Sequence, residues 1–237
     1  MIRRSAITPL LLAVTVLLGG LAACRPVAAT GESVRLPAPA LDATAATSPR
    51  EETAVLAGGC FWGVAAVFEH VKGVQQVTAG YSGGAADTAH YDMVSDGDTG
   101  HAESVRVRFD PSKISYGQLL QVFFSVALNP TELDRQGPDS GSQYRSVIFY
   151  NSGQQQKIAD AYIAQLGSAK VFSAPIVTQV VPLKAFYPAE DYHQHYFRLH
   201  PDNPYIVIND APKVAHLREL FPARYRDDRN FVDVRLH

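Results

Sequence analysis

The order of secondary-structure patterns after residue 52 constrains the fold more than any other feature of this sequence. Short runs of alternating or β-branched residues predict strands, and apolar residues at helical spacing predict the segments between them. In the run 103–109, for example, Val105 and Val107 alternate with Arg106 and Arg108, so one face of that strand should be exposed to solvent. In chain order the predicted segments are strand 53–57, helix 60–71, strand 74–81, strand 103–109, helix 114–128, strand 144–150, helix 154–166, strand 176–183 and short helices at 191–199 and 214–220.

The order β-α-β-β-α-β, with additional elements, fits an α+β domain in which helices pack on a mixed sheet. We expect a ferredoxin-like split βαβ topology, a two-layer sandwich, in a single domain that spans residues 53–237. Two stretches, 80–100 and 129–143, are long loops rich in Gly, Ser, Asp and Thr. Loops of this length in a compact domain often carry function.

Residues 1–23 have the pattern of an export signal. Arg3 and Arg4 precede an apolar run at 10–18, and small residues follow it. The run is shorter than the ~20 apolar residues of a membrane-spanning helix, so a permanent anchor is the weaker interpretation. Residues 21–24 read Leu-Ala-Ala-Cys, similar to the cleavage motif of bacterial lipoproteins, which predicts that Cys24 is lipidated. An ordinary cleavage site with an incidental cysteine is the alternative.

Residues 24–52 are predicted to form a flexible tether, because Ala, Pro, Thr and Ser dominate and large apolar residues are few. We therefore expect an exported lipoprotein on the periplasmic side of the bacterial cell envelope. Its membrane contact would be through the N-terminal lipid only.

The charge balance argues against nucleic acid as a partner. Lys and Arg number 21 and Asp and Glu 23, giving a formal net charge of −2 without a basic cluster. Two cysteines are too few for a disulfide scaffold or a multi-thiolate zinc site. His193 and His195 would lie about 200° apart around a helix, so they cannot easily share a metal. We expect a monomer without a bound metal or cofactor.

Cys60 stands where the first helix begins, directly after Gly58 and Gly59. Free backbone N–H groups and the helix dipole favour a thiolate at that position. Trp62, the only tryptophan, is two residues away, which suggests a small apolar pocket beside the sulfur. A buried, unreactive cysteine is the alternative. Gly63 stands where a Cys-x-x-Cys motif would need its second thiol, so a local dithiol is excluded.

Five motifs, in order and at consistent spacing, resemble those of peptide methionine sulfoxide reductase A. The resemblance covers about residues 53–221. The motifs are Gly-Cys-Phe-Trp-Gly at 59–63, Gly-Tyr-Ser-Gly-Gly at 80–84, Gly-His-Ala-Glu at 100–103, Asp-Ser-Gly-Ser-Gln-Tyr-Arg-Ser at 139–146 and Phe-Tyr-Pro-Ala-Glu-Asp-Tyr-His-Gln at 186–194.

The resemblance implies an enzyme that repairs oxidised proteins by reducing methionine S-sulfoxide, protein-bound and in some cases free. It implies that Cys60 attacks the sulfoxide sulfur and that Glu103 supplies a proton, because the sulfoxide oxygen is a poor leaving group until it is protonated. A carboxyl buried beside aromatic rings would have the raised pKa that this needs. The further residues that the resemblance implies are Tyr91 and Tyr144 at the sulfoxide oxygen, Asp139 organising them, and Phe61 and Trp62 around the S-methyl group.

Alternatives remain for these residues and for the activity. By periodicity alone Glu103 fits a solvated edge charge equally well, and Asp139 lies in a stretch typical of a turn. A hydrolase could pair Cys60 with His101. A binding protein could use the Phe61 and Trp62 pocket without chemistry.

The chain departs from the commonest form of the family, because no cysteine follows Cys60. Around 205–210, where family members often carry a resolving cysteine, the sequence offers Ile206, Val207 and Ile208 instead. The resemblance therefore implies a single-cysteine enzyme. Its sulfenic acid would be reduced by an external thiol, either a thioredoxin-like protein or a small thiol.

Overall fold

The structure is a computed structural model that describes residues 34–48 and 50–227. Its α-helices are α1 (Phe61–Glu69), α2 (Tyr91–Ser95), α3 (Tyr116–Val122), α4 (Gly153–Ser168), α5 (Tyr196–Leu199) and α6 (Ala211–Leu220). Its strands are β1 (Glu52–Ala57), β2 (Val74–Ser82), β3 (Ala102–Phe109), β4 (Arg135–Gln136), β5 (Asp139–Ser140), β6 (Val147–Tyr150), β7 (Gln179–Pro182) and β8 (Tyr187–Pro188).

Six strands form one mixed sheet in the order β7-β6-β1-β3-β2-β8. The four inner strands, β6-β1-β3-β2, pair with one another in antiparallel fashion, and β3 lies between the two strands of the split β1-α1-β2 unit. Strand β7 extends one edge in parallel with β6, and β8 extends the other edge. The predicted α+β class, with helices packed on a mixed sheet, is confirmed.

The alternation of residues along β3 separates the two faces of the sheet. Val105, Val107 and Phe109 are fully buried, whereas Arg106 and Arg108 are half-buried on the other face. Helix α1 packs on β2 and β3, and α4 packs on β6. Because side chains repeat every two residues along a strand, Glu103 lies on the same face as Val105, beneath α1.

Several predicted helices and strands are shorter or broken. The run 114–128 is not one helix, because α3 changes at Phe123 into a π-helical turn, Phe123–Ala127. The strand predicted to begin at Tyr144 begins at Val147, and Tyr144 ends a 3-10 turn, Ser142–Tyr144. The helix predicted over 191–199 is interrupted by His195, whose φ of 54° is left-handed.

Residues 34–48 of the predicted flexible tether are docked on the domain, so that prediction is wrong for this part. Leu36 is 4% exposed, its N–H donates to Ser125 Oγ, and its carbonyl accepts from Gln121 Nε2 at 2.7 Å. Tyr162 Oη donates to the carbonyl of Pro37 at 2.8 Å. Pro37 lacks an N–H and favours extended backbone, and its carbonyl is available to the Tyr162 side chain of α4.

Asp42, in the same docked segment, caps α3. Its Oδ1 accepts from Gly117 N–H at 2.8 Å, and Ser115 Oγ donates to its Oδ2. Ser115 also forms a capping box with Gln118. The carboxylate therefore stands at the positive end of α3, where a negative charge is favourable.

The predicted export signal, residues 1–23, and Cys24 lie outside the described residues. In the part of the chain that the structure describes, no helix combines the length and the apolar character needed to cross a membrane.

We expect Asp42→Ala to lower the free energy of unfolding by about 1–2 kcal/mol, because α3 loses a charged cap and Ser115 loses a partner. Denaturant unfolding at pH 7 measures this change. Asp160→Ala, which removes an exposed carboxylate from α4, is the control and should change stability by less than about 0.5 kcal/mol. Equal effects of the two substitutions would contradict the docked position of Asp42.

Candidate active site

Cys60 is the N-cap residue of α1 and follows a sharp turn at Gly59, whose φ is 91°. A Cβ on Gly59 would stand 2.5 Å from Gln136 Cβ, so a side chain there would be both strained and obstructed. Cys60 is a free thiol, 8% exposed, on the wall of a cavity of about 510 Å³. The turn therefore presents the sulfur to this cavity at the start of the helix.

A hydrogen bond joins the start of α1 to β3. Phe61 N–H donates to Glu103 Oε2 at 2.9 Å, and the Glu103 side chain is buried. This N–H is one of the donors that a helix leaves unsatisfied in its first turn. The carboxyl of Glu103 is thereby fixed next to the residue that carries the thiol.

Burial sets the protonation state of Glu103. Removal from water raises the pKa of its carboxyl from 4.5 to about 8, although the Phe61 N–H opposes the shift. The negative charges of Asp139 and Asp210 raise this pKa further. At neutral pH the carboxyl therefore carries a proton, the state that a general acid requires.

The expectation of a resting thiolate at Cys60 is wrong. Burial raises the pKa of the thiol well above 9.0, and the charges of Glu103 and Asp210 raise it further. The Trp62 backbone N–H and the charge of Lys213 act in the opposite direction and do not overcome this. The helix start thus acts on the sulfur through the Trp62 N–H, and burial outweighs it.

The structure brings together the other polar residues that the motifs indicated. Burial is the largest cause that raises the pKa values of Tyr91 and Tyr144, and the negative charge of Glu103 is the second largest. The charge of Cys60 also raises the pKa values of both tyrosines. Asp139 lies in β5 and accepts a hydrogen bond from Tyr205 Oη. Two tyrosines and two carboxyls from four separate segments thus surround the thiol.

Trp62 and Phe61 differ in accessibility. Trp62 is half-buried, and its ring stacks on Tyr196 with centroids 3.7 Å apart and planes at 5°. Its Nε1 donates to His193 Nδ1 at 3.1 Å, which fixes the indole. Phe61 is 1% exposed, with its ring centroid 5.0 Å from that of His193. Trp62 therefore forms an accessible aromatic wall, and Phe61 lies in the core beneath it.

Sequence reasoning missed four residues that build this site. His193 and Tyr196 hold Trp62, Tyr205 holds Asp139, and Glu190 accepts from Tyr81 Oη at 2.8 Å and from Tyr91 N–H at 2.9 Å. Glu190 and His193 belong to the motif at 186–194, which was the available signal. Nothing local distinguished Tyr205 from the other tyrosines.

His101 does not serve Cys60 in this structure. Its Nδ1 accepts a hydrogen bond from Gly84 N–H at 3.2 Å, and its Nε2 donates one to the carbonyl of Ala85 at 2.8 Å. Both ring nitrogens thus hold the loop at 80–100, which removes the support for a Cys60–His101 hydrolase. Among residues 34–48 and 50–227, no three His, Cys, Asp or Glu side chains cluster so as to hold a metal ion.

We expect Glu103→Gln to change how stability depends on pH. The folded-state pKa of about 8 exceeds 4.5, so folding takes up a proton between these values. The contribution of this carboxyl is full below about pH 4.5 and falls by about 1.4 kcal/mol per pH unit up to about pH 8. Glutamine keeps an acceptor for the Phe61 N–H and has no charge, so this slope should disappear.

Urea unfolding at pH 6, 7 and 8 measures the slope for the native chain and for Glu103→Gln. Glu219→Gln, at an exposed position of α6, is the matched control and should keep the native slope. Parallel pH dependence in the native chain and Glu103→Gln would show that Glu103 is ionised in the folded state.

Comparison with known proteins places this geometry in a family. The family model described as peptide methionine sulfoxide reductase matches residues 52–225. A "Peptide methionine sulfoxide reductase MsrA 2" of Mesorhizobium japonicum is 60% identical over 180 residues, which cover 76% of this chain and 92% of that protein. The protein of the same name from Synechocystis is 47% identical over 78% of this chain and 88% of its own length.

Solved structures agree with this relationship. Methionine sulfoxide reductase A of Corynebacterium diphtheriae is 33% identical, with a TM-score of 0.56 over 65% of this chain and 77% of that one. Reduced Mxr1 from Saccharomyces cerevisiae is 29% identical, with a TM-score of 0.57 over 66% of this chain and 92% of that one. The chain therefore belongs to the peptide methionine sulfoxide reductase family and is an oxidoreductase that reduces methionine sulfoxide in the repair of oxidised proteins.

Proposed function

We propose that Cys60 and Glu103 reduce the S epimer of methionine sulfoxide through a sulfenic acid, with an external thiol closing the cycle. The observation that carries this proposal is the hydrogen bond from Phe61 N–H to Glu103 Oε2. It places a buried, protonated carboxyl beside the residue that bears the only thiol in the described part of the chain. The S epimer is carried over from the family resemblance.

The oxygen-transfer step neither consumes nor releases a net proton. Protonated Glu103 donates to the sulfoxide oxygen as Cys60 Sγ attacks the substrate sulfur, and it recovers the proton that the thiol loses. Cys60 sulfur first bonds to the substrate sulfur. This S–S bond and the substrate S–O bond then break as a bond between Cys60 sulfur and the oxygen forms. Cysteine sulfur loses two electrons and substrate sulfur gains them, so the products are methionine and Cys60 sulfenic acid.

Tyr91 and Tyr144 would hydrogen-bond the sulfoxide oxygen while it leaves, because their raised pKa values keep both phenols protonated as donors. Asp139, held by Tyr205, would keep this group of hydroxyls in place. Trp62 would pack against the S-methyl group, with Phe61 supporting it from below.

An external thiol completes the cycle. One thiol attacks the Cys60 sulfenic acid as its thiolate, the S–OH bond breaks, and a mixed disulfide forms with release of water that includes the proton of that thiol. A second thiol attacks the donor sulfur of the mixed disulfide, so the two donor thiols leave as a disulfide and Cys60 regains its thiol and proton. A thioredoxin-like protein or a small thiol could supply both, since Cys60 has no partner cysteine after it in the sequence.

A single turnover tests this chemistry. We expect the full chain in detergent, mixed with a methionine S-sulfoxide peptide and no reductant, to yield about one methionine per chain and one added oxygen on Cys60 by peptide mapping. Cys24→Ser should behave identically, since Cys60 is then the only thiol. Glu103→Gln should slow the step about 10²–10⁴-fold. In the native chain the rate should fall above about pH 8, where the carboxyl loses its proton.

Two results would contradict the proposal. One is a folded chain that yields no methionine and keeps an unmodified Cys60. The other is a Cys24–Cys60 disulfide after turnover, which would mean that the chain resolves its own sulfenic acid.

We also propose that the enzyme acts outside the cytoplasm as a monomeric lipoprotein. The support is the sequence pattern at 1–23, with Arg3 and Arg4 before the apolar run, and the cysteine at position 24. Its substrates there would be proteins with oxidised methionines, and electrons would have to reach its thiol donor across the membrane.

Fractionation and mass analysis of the N-terminus test this location. We expect the chain in the membrane fraction, beginning at an acylated Cys24, and we expect Cys24→Ser to leave the membrane fraction or to remain unprocessed. The location would be refuted by a soluble cytoplasmic chain that retains its first 23 residues. Sedimentation in detergent should give one chain per particle.

A further inference from the structure

Asp210 and Lys213 form an ion pair, buried on the aspartate side, that the proposed chemistry does not use. Asp210 is fully buried, and its Oδ1 accepts from Lys213 Nζ at 3.3 Å. Its other oxygen, Oδ2, is buried without a hydrogen-bond partner. Sequence reasoning did not single out either residue.

This pair lies against the first turn of α1. A Cβ on Gly63 would stand 2.1 Å from Asp210 Oδ1 and 2.7 Å from Lys213 Nζ. Only glycine therefore lets both charged groups approach the helix at this point. Gly63 is three residues after Cys60, so it faces the same side of the helix one turn later.

Lys213 and Cys60 also line the same cavity. The charge of Lys213 lowers the pKa of the thiol, against burial and the charges of Glu103 and Asp210. Several titratable groups lie around the thiol. They are Glu103 from β3, Tyr91 from α2, Tyr144 from a 3-10 turn, Tyr205 from the helical segment that precedes α6, Asp139 from β5, Asp210 and Lys213 at the start of α6, and His216, which lines the cavity.

We propose that Lys213 is a positioning residue for catalysis, which supports ionisation of Cys60 when the thiol gives up its proton, and that Asp210 holds the lysine at the start of α1. This inference rests on the proposed role of Cys60 as nucleophile. Lys213 would act on the sulfur through its charge, and Glu103 would remain the proton donor.

A purely structural role does not account for this pair. Burying the Asp210 carboxylate costs solvation that a single ion pair with a partly exposed lysine rarely recovers, and apolar residues of similar size often serve stability as well. Here the cost is greater because Asp210 Oδ2 lacks a partner. An effect of the positive charge of Lys213 on the nearby thiol explains why this unfavourable ion pair is present.

The pH dependence of Cys60 alkylation by iodoacetamide tests the proposal on the full chain, independently of turnover. We expect Lys213→Met to raise the thiol pKa and to slow alkylation about tenfold at a fixed pH below it, which corresponds to about one pKa unit. Lys213→Arg should stay close to the native chain. Arg218→Met, which removes an exposed cation from the same helix, is the matched control and should change nothing.

A second comparison avoids leaving a buried carboxylate unpaired. Asp210→Asn keeps an oxygen that can accept from Lys213, and its thiol pKa should fall because a negative charge is lost. Asp210→Asn/Lys213→Met removes both charges, and its thiol pKa should exceed that of Asp210→Asn alone. This difference isolates the lysine even if Lys213→Met fails to fold.

Equal thiol pKa values in Asp210→Asn and the double variant would overturn the inference. So would a Lys213→Met chain that folds and keeps the native alkylation profile, even with slower turnover. Failure of sulfoxide reduction together with the expected alkylation shifts would instead refute the proposed function and leave the electrostatic role of Lys213 intact.

Discussion

The hydrogen bond between Phe61 N–H and Glu103 connects the two halves of the site. It joins the start of α1 to β3, and so it couples the position of the thiol to the central strand of the sheet. A helix start ordinarily offers its N–H groups to an anion or to a thiolate. In this chain a carboxyl from the neighbouring strand takes the Phe61 N–H, and burial keeps the thiol protonated.

This arrangement stores both reacting protons in a buried site. A carboxyl with a pKa near 8 and an un-ionised thiol together make a neutral pair that tolerates burial far better than two anions would. Because the pKa of Glu103 is raised, the fold is less stable at neutral pH than at acidic pH, but the carboxyl keeps the proton that a general acid donates. The hydroxyl groups of Tyr91 and Tyr144 extend the same principle, since burial also keeps them protonated.

The sequence supported prediction of the parts of this structure that depend on local pattern. Period-two alternation in β3 separates buried valines from half-buried arginines, and two glycines before Cys60 indicate the turn into α1. Periodicity alone could not decide whether Glu103 is solvated, because this depends on α1 covering that face of the sheet. The ionisation of Cys60 was predicted wrongly because the dipole argument considers one helix alone and omits the burial of the thiol, which is the largest influence on its pKa.

Long-range contacts were the least accessible to sequence reasoning. Tyr205 and Asp139 are 66 residues apart, and only the tertiary fold brings the phenol to the carboxylate. The segment 34–48 has a composition typical of flexible linkers, yet single residues such as Leu36 and Asp42 fit particular places on α3. Composition averages over such residues, so it cannot distinguish a flexible linker from a segment that is docked on the domain.

Docking of that segment also sets a working distance for the enzyme. Val34 and Leu36 line the cavity that Cys60 also lines, so the segment meets the domain at this cavity. Only ten residue steps separate Cys24 from Val34, and a fully extended chain covers at most about 36 Å in ten steps. If Cys24 is attached to a surface, Val34 and the cavity wall it forms stay within that distance of the attachment point, and oxidised methionines far beyond it must come to the enzyme.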